Sequence, residues 1–240
     1  MKNILALILS LVVVVLCAYL PDIVSWRQDK KNLEQVQFAS AANIQLEFTN
    51  AERSLKETIA ILGDNRDSLD IPAELATLKE QNVQRIAGKA LQEYREEGIL
   101  TSEGDFYMQD LVPRLVYGTG ENRNNVFWHI SYVDFTHSYY VNFTVDDRTG
   151  AVVCVDVVRA DTQEYTQKDM EVILGSFSEI YLKSLGEEFR EYDAAALLEN
   201  AKRPNDGSYL ASAIYYFAEG YRETSITFFV NKTGFYTYIS

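Results

Sequence analysis

The sequence predicts an α+β protein in which an N-terminal transmembrane helix precedes two α-β-β-β units with antiparallel meanders. Three observations predict this arrangement: an uncharged apolar run at residues 4–20, two clusters of aromatic residues, and a strand-turn-strand pattern that occurs twice. Of the 30 aromatic residues, ten lie within 106–143 and ten more within 209–238. Two matching clusters indicate two matching units.

The composition excludes several classes of protein. The chain has 240 residues, with 22 Lys and Arg against 35 Asp and Glu, which gives a net charge of −13. Because 47% of the residues are hydrophobic and only two are cysteines, the chain is neither disordered nor held by a disulfide framework. An acidic surface repels phosphates, so we expect no nucleic-acid partner.

The first 26 residues predict a membrane anchor or a signal peptide. The apolar run at 4–20 is long enough to cross a hydrocarbon core of about 30 Å, and Trp26 suits the interface, so we expect membrane contact through residues 4–26. Cleavage after Ala18 is poorly signalled, and bulky Leu16 disfavours acylation of Cys17. We therefore expect a single-pass protein of the cell membrane with its C-terminal domain outside; secretion after cleavage is the alternative.

Residues 27–70 form a predicted helical linker between the anchor and the first unit. The stretch 35–48 is ambiguous because its end also fits strand alternation. After it, Thr49 and Glu52 have the spacing of a capping box for a helix that ends at Gly63.

The first predicted unit covers residues 71–160. Apolar residues at steps of three to five predict a helix from Leu75 to Tyr94. Strands follow at 126–132, 141–145 and 151–158, and the last two flank a Thr-Gly turn at 146–150.

The second predicted unit covers residues 161–240 and repeats this order. Its helix begins with Thr166 as N-cap and Asp169 three residues on. Strands at 211–217, 226–230 and 235–239 follow, with a turn at 231–234 that is one residue shorter. A short helix at 193–201 interrupts this copy, and the C-terminus is expected to pair into a sheet.

Few residues carry a pattern typical of chemistry. His129 and His137 flank Asp134 and could hold a metal, but two structural histidines explain the same spacing. Asp64, Asp67 and Asp70 are spaced like oxygen ligands, although a solvated loop accounts for them better than a calcium site. The pair at 146–147 could act as acid and base only if burial separated their pKa values. We expect no catalytic residue, metal or cofactor.

Tyrosines in the predicted strands could form an aromatic binding surface. The candidate partner-binding residues are Trp128, Tyr139, Tyr140 and Tyr215. The alternative is that these side chains stabilise the sheet, since Tyr favours half-buried strand faces. A solvent-facing aromatic patch would instead mark a recognition surface.

The first strand-turn-strand segment resembles a known family. Trp128 on one strand, the strand at 140–145, an Asp-x-x-Thr-Gly turn at 146–150 and the apolar strand after it resemble the PepSY-type pattern. The second copy at 229–236 looks like a shortened version of it. The whole chain is similar to uncharacterised membrane-anchored extracytoplasmic proteins of Gram-positive bacteria.

The resemblance implies a non-catalytic module that restrains or binds a partner. We therefore expect a membrane-anchored extracytoplasmic binding or regulatory protein with a protein or peptide partner in the envelope. Two alternatives remain open. The first is a hydrolase or metal-dependent enzyme with a concave pocket, and the second is a structural envelope component that self-associates.

Overall fold

The computed structural model describes residues 53–64, 67–102, 104–117, 124–135, 139–160, 164–186, 189, 209–219 and 222–240. Within these ranges, only the backbone is described at residues 64, 209–213, 218–219 and 222–223. The predicted anchor at 1–26 and the short helix at 193–201 lie outside the described residues.

Three helices and eight strands make up the described part of the chain. The helices are α1 (Leu55–Asp64), α2 (Glu80–Glu96) and α3 (Gln167–Leu185), and a short 3-10 helix covers Ala73–Leu75. The strands are β1 (Asp67–Asp70), β2 (Tyr107–Tyr117), β3 (Asn124–Asp134), β4 (Tyr139–Asp146), β5 (Val152–Arg159), β6 (Tyr209–Glu219), β7 (Arg222–Asn231) and β8 (Gly234–Ile239). Among the described residues, none of the helices is both long and apolar enough to span a bilayer.

All eight strands belong to one antiparallel sheet in the order β1-β2-β3-β4-β5-β8-β7-β6. The predicted meanders β3-β4-β5 and β6-β7-β8 are both present, and β5 pairs with β8 to join them. At that junction Asp156 lies opposite Tyr236 and Val158 lies opposite Gly234. The α+β class is therefore confirmed, and the C-terminal strand pairs into the sheet as expected.

The first unit has one strand more than predicted. The prediction omitted β2, because its sequence contains Pro113 and charged residues that interrupt the alternation. Pro113 is tolerated because its carbonyl accepts a hydrogen bond from the Ile71 amide, on the side where β1 has already ended. Since the N–H and C=O of one residue in an antiparallel strand point to the same side, the missing donor removes no bond to β3.

Reciprocal side-chain bonds begin two of the helices. At α3 the Asp169 amide donates to Thr166 Oγ1 at 3.2 Å and the Thr166 amide donates to Asp169 Oδ2 at 2.9 Å, which confirms the predicted cap. The Thr166 hydroxyl also donates to Asp169 Oδ2 at 2.7 Å, and this bond, together with the one from the Thr166 amide, lowers the pKa of Asp169. Helix α1 begins after Ser54, whose side chain and backbone pair with Glu57 in the same reciprocal way. The predicted capping pair, Thr49 and Glu52, lies outside the described residues.

Helix α2 starts later than its apolar spacing predicts. The chain is extended at Ala76, and the helix begins only at Glu80. The amides of Thr77 and Leu78 donate to the carboxylate of Asp147 at 2.6 and 2.9 Å. These hydrogen bonds join distant segments of the chain. They hold two amides outside the helix, although the prediction placed them in its first turn.

The main core lies between the sheet and helices α2 and α3. Tyr94 of α2 stacks on Phe143 at 6.3 Å between ring centroids, and Phe177 of α3 lies 4.8 Å from Phe235. The Tyr181 hydroxyl donates to the Val153 carbonyl at 2.5 Å, and burial raises its pKa. Much of the aromatic content therefore stabilises the sheet-helix interface.

Candidate binding surface

Strand alternation separates the sheet into a helix-covered face and a second face. Helix α2 contacts β3, β4 and β5, and α3 contacts β5, β6 and β7. Tyr139, Val141 and Phe143 of β4 belong to the buried core, whereas Tyr140, Asn142 and Thr144 alternate with them. We call the face that carries these three residues, and the residues in register with them, the second face.

Five aromatic side chains run across the second face from β4 to β6, and we call them the aromatic strip. They are Tyr140, Tyr236, Phe229, Tyr238 and Tyr216. Tyr216 is 68% exposed, Tyr238 48% and Tyr140 43%. Phe229 and Tyr236, opposite each other in register, stack with centroids 5.0 Å apart. The strip therefore presents aromatic surface to solvent where the sheet carries no described helix.

Next to the strip lies a row of hydrogen-bonded polar side chains. Ser131 donates to Asn142 Oδ1 at 2.7 Å, and Asn142 Nδ2 donates to Asp156 Oδ2 at 3.3 Å. Asp156 lies directly opposite Tyr236 of the strip. The row therefore positions a carboxylate beside the Phe229–Tyr236 stack.

His129 lies on the second face but is uncharged near neutral pH. Burial, with a smaller contribution from the nearby Arg114, lowers its pKa to about 4. Its ring lies 3.4 Å from Thr144 Oγ1. Arg114 itself is paired with Asp70 at 2.7 Å, so its charge is largely compensated. The face therefore has more negative than positive charge.

The structure does not bring the four predicted partner-binding residues together on one surface. Tyr140 is exposed, but Trp128 and Tyr139 are fully buried and Tyr215 is partly buried against the core. Trp128 and Tyr139 belong to the helix-covered face because they alternate with the residues of the second face. Tyr216, Tyr236, Tyr238 and Phe229 take their place. No signal in the sequence identifies them, because the β5–β8 pairing that puts them on the face of Tyr140 joins distant segments.

In the turn at 146–150, the carboxylates of Asp146 and Asp147 both accept hydrogen bonds that stabilise the fold. Asp146 accepts from the amide and hydroxyl of Thr149 at 2.9 and 2.6 Å, and from Asn125 at 2.8 Å. Asp147 accepts from the Trp128 indole at 2.7 Å. Gly150 has a φ of 73°, which other L-residues rarely adopt. These bonds explain the Asp-x-x-Thr-Gly pattern without an acid-base role.

The shorter turn of the second copy uses similar bonds. Asn231 Oδ1 accepts from the Thr233 amide at 2.8 Å, as Asp146 does from Thr149. Its glycine has a different purpose, because a Cβ on Gly234 would lie 2.0 Å from the carbonyl oxygen of Val157. Gly234 therefore permits β8 to approach β5 and joins the two meanders.

A separate groove of about 700 Å³ lies between α2 and α3, on the other side of the sheet from the strip. Its lining includes three basic and three acidic residues, and Lys89 lies 3.7 Å from Glu93. They are Arg85, Lys89, Lys183, Glu93, Glu96 and Glu97. Charges of both signs therefore offset each other in this groove. Neither His129 nor Cys154 is among the lining residues that the structure describes.

The predicted metal candidates are not assembled in the described part of the chain. Among the described residues, no group of three or more His, Cys, Asp or Glu could hold a metal ion. Asp67 and Asp70 lie on the short strand β1, where Asp70 pairs with Arg114. His137 and the side chain of Asp64 are outside the described residues.

The comparisons with known proteins give no relative for this chain: no family model, curated protein or solved structure matches it. The likeness to PepSY domains therefore stays a prediction from the sequence.

Proposed function

We propose that this chain is a membrane-anchored extracytoplasmic protein without catalytic activity that binds an envelope protein or peptide through its aromatic strip. Binding would restrain or sense that partner, as the PepSY resemblance implies. The observation that carries the proposal is the exposure of Tyr140, Tyr216 and Tyr238 on one face of the sheet. Large aromatic side chains on a water-facing surface cost free energy that a partner recovers by covering them.

The shape of the surface supports binding rather than turnover. The strip crosses the sheet from β4 to the end strand β6 and includes the stack of Phe229 on Tyr236. Aromatic anchors beside hydrogen-bonded polar groups are typical of protein recognition surfaces. A catalytic site would instead be expected in a concavity that gathers titratable groups.

Site-specific photo-cross-linking in intact cells tests the binding surface. A benzophenone amino acid replaces Tyr216 or Tyr238, and a matched control replaces Val172, which is exposed on α3. We expect both strip positions to cross-link the same envelope partner, and the α3 position to give none of it. The same products from all three positions, or only copies of this chain, would contradict the proposal.

Cysteine labelling tests the orientation. Val172→Cys places a thiol on an exposed helix position, whereas burial raises the pKa of the native Cys154 thiol to about 12 and keeps it unreactive. A membrane-impermeant maleimide should label the variant in intact cells. Labelling only after lysis would place the domain inside the cell and overturn the localisation.

A further inference from the structure

We infer that the aromatic strip and the adjacent Asp156 form a site for a lysine- or arginine-bearing peptide segment in extended conformation. This inference rests on the proposed function and names the chemistry of its partner. It requires a surface that favours positive charge, a length that suits a short peptide, and contacts made by side chains.

The charges of the second face favour a cation. The described strands place Asp70, Asp110 and Asp156 on this face, with Arg114 as the one basic side chain in the part that the structure describes. Arg114 is already paired with Asp70. Asp110 and Asp156 therefore remain as uncompensated negative charges on a chain whose net charge is −13.

An aromatic platform lies beside one of these carboxylates. Asp156 is opposite Tyr236, whose ring stacks on Phe229. The face of an aromatic ring attracts a cation, and a neighbouring carboxylate adds a charge-assisted hydrogen bond. An ammonium or guanidinium group can use both contacts at once, whereas an anionic group would be repelled by both.

The dimensions suit a short extended segment. From Tyr140 on β4 to Tyr216 on β6 the strip crosses β5, β8 and β7, which is four strand spacings. At about 4.8 Å per spacing this is about 19 Å across the strands. Tyr140 is level with Gly234 of β8 and Tyr216 is level with Ser240, so the strip also shifts along the strands by six residues, which is about 20 Å. The diagonal is about 28 Å, the length of about eight extended residues. Because β4, β5, β8 and β7 are each paired on both sides, their backbones offer no edge, and side chains hold the partner there. The end strand β6 contributes only Tyr216 to the strip.

Fluorescence anisotropy with the full-length chain in detergent tests the inference. The probes are fluorescein-labelled, end-blocked octapeptides that alternate Lys with Ala, Glu with Ala, or Ser with Ala. We expect the Lys peptide to bind and the Glu and Ser peptides to bind at least tenfold more weakly. Raising the salt concentration should weaken the binding of the Lys peptide, because salt screens exposed charges.

Matched variants locate the site. Asp156→Asn keeps an oxygen that can accept from Asn142 but removes the charge, and should weaken the binding of the Lys peptide about two- to fivefold. Glu179→Gln removes the same charge from the exposed side of α3 and should leave the affinity unchanged. The double variant Tyr216→Ala, Tyr238→Ala should weaken binding of the Lys peptide more than Asp156→Asn does. Tyr117→Ala on β2 should leave the affinity unchanged. Thermal unfolding verifies that each variant is folded.

Several results would overturn the inference. Equal losses from Glu179→Gln and Asp156→Asn would mean that only the net charge attracts the peptide. Equal binding of all three peptides would mean that the strip has no preference for cations. If the chain forms a dimer that the double variant Tyr216→Ala, Tyr238→Ala dissociates, the strip is occupied by a second copy of the chain and not by a peptide. No peptide binding, together with strip-specific photo-cross-linking, would refute the cationic partner while the proposed function stands.

Discussion

Asp147→Ala tests how the β4–β5 turn stabilises the fold. The carboxylate accepts hydrogen bonds from the Thr77 amide at 2.6 Å, the Leu78 amide at 2.9 Å and the Trp128 indole at 2.7 Å. It therefore links three segments: the turn, strand β3 and the extended stretch before α2. Alanine removes the two carboxylate oxygens that accept these three bonds at a buried position.

The magnitude follows from the exposure of each donor. Trp128 is fully buried, so its N–H loses its acceptor without access to water, which costs about 1–3 kcal/mol. Thr77 is exposed and Leu78 is partly buried, so water can replace part of their bonds, at about 0.5–1 kcal/mol each. We expect Asp147→Ala to lower the free energy of unfolding by about 2–5 kcal/mol.

Urea unfolding followed by circular dichroism measures this effect. Asp105→Ala, a loss of charge at an exposed residue, should change the unfolding free energy by less than about 0.5 kcal/mol. In a Trp128→Phe background, Asp147→Ala should cost about 1–3 kcal/mol less, because the indole donor is absent. A loss from Asp147→Ala no larger than that from Asp105→Ala, or an equal loss in both backgrounds, would refute the reasoning.

Three further predictions follow from single contacts. Gly234→Ala should destabilise the fold by more than about 3 kcal/mol in urea unfolding, because its Cβ would lie 2.0 Å from the Val157 oxygen. Gly88→Ala, with open space in α2, should instead stabilise by up to about 1 kcal/mol, and equal effects would contradict the close approach. Burial keeps the pKa of His129 at about 4, below its usual value of 6.5, so the folded state binds fewer protons. Stability should therefore fall as the pH drops from about 6.5 to about 4, by at most about 1.4 kcal/mol per pH unit, and His129→Gln should lack this part of the slope; parallel curves would be evidence against it. Because burial raises the pKa of Cys154 to about 12, iodoacetamide at pH 8 should modify it only after denaturation, as peptide mass spectrometry can verify; rapid labelling of the folded chain would contradict this.

Local signals in the sequence predicted the elements whose boundaries depend on nearby residues. The Thr166 cap involves bonds over three residues, and the Thr-Gly turns at 146–150 and 231–234 are similarly local. Strand β2 was missed because its tolerance of Pro113 depends on where β1 ends, a contact between distant segments. The start of α2 was misplaced for a similar reason, since Asp147 binds the amides at 77–78.

The binding surface was predicted only in kind. The aromatic composition indicated a tyrosine-rich sheet, but strand alternation decides which tyrosines face solvent, and an error of one residue reverses every assignment. Trp128 and Tyr139 are in the core, whereas Tyr140 is exposed one position later. Choosing between the two parities requires knowledge of the face that α2 and α3 cover.

The sequence by itself determined the α+β class, the two meanders and most turns, because hydrophobic periodicity and turn chemistry act within about ten residues. Only the tertiary structure decided that the meanders form one sheet, since the β5–β8 pairing joins residues far apart in the chain. It also decided that a glycine is needed at position 234, where β8 approaches β5 closely, and that the exposed aromatic side chains extend from Tyr140 to Tyr216. These features depend on which surfaces meet, and pairing between distant segments leaves no regular spacing in the sequence.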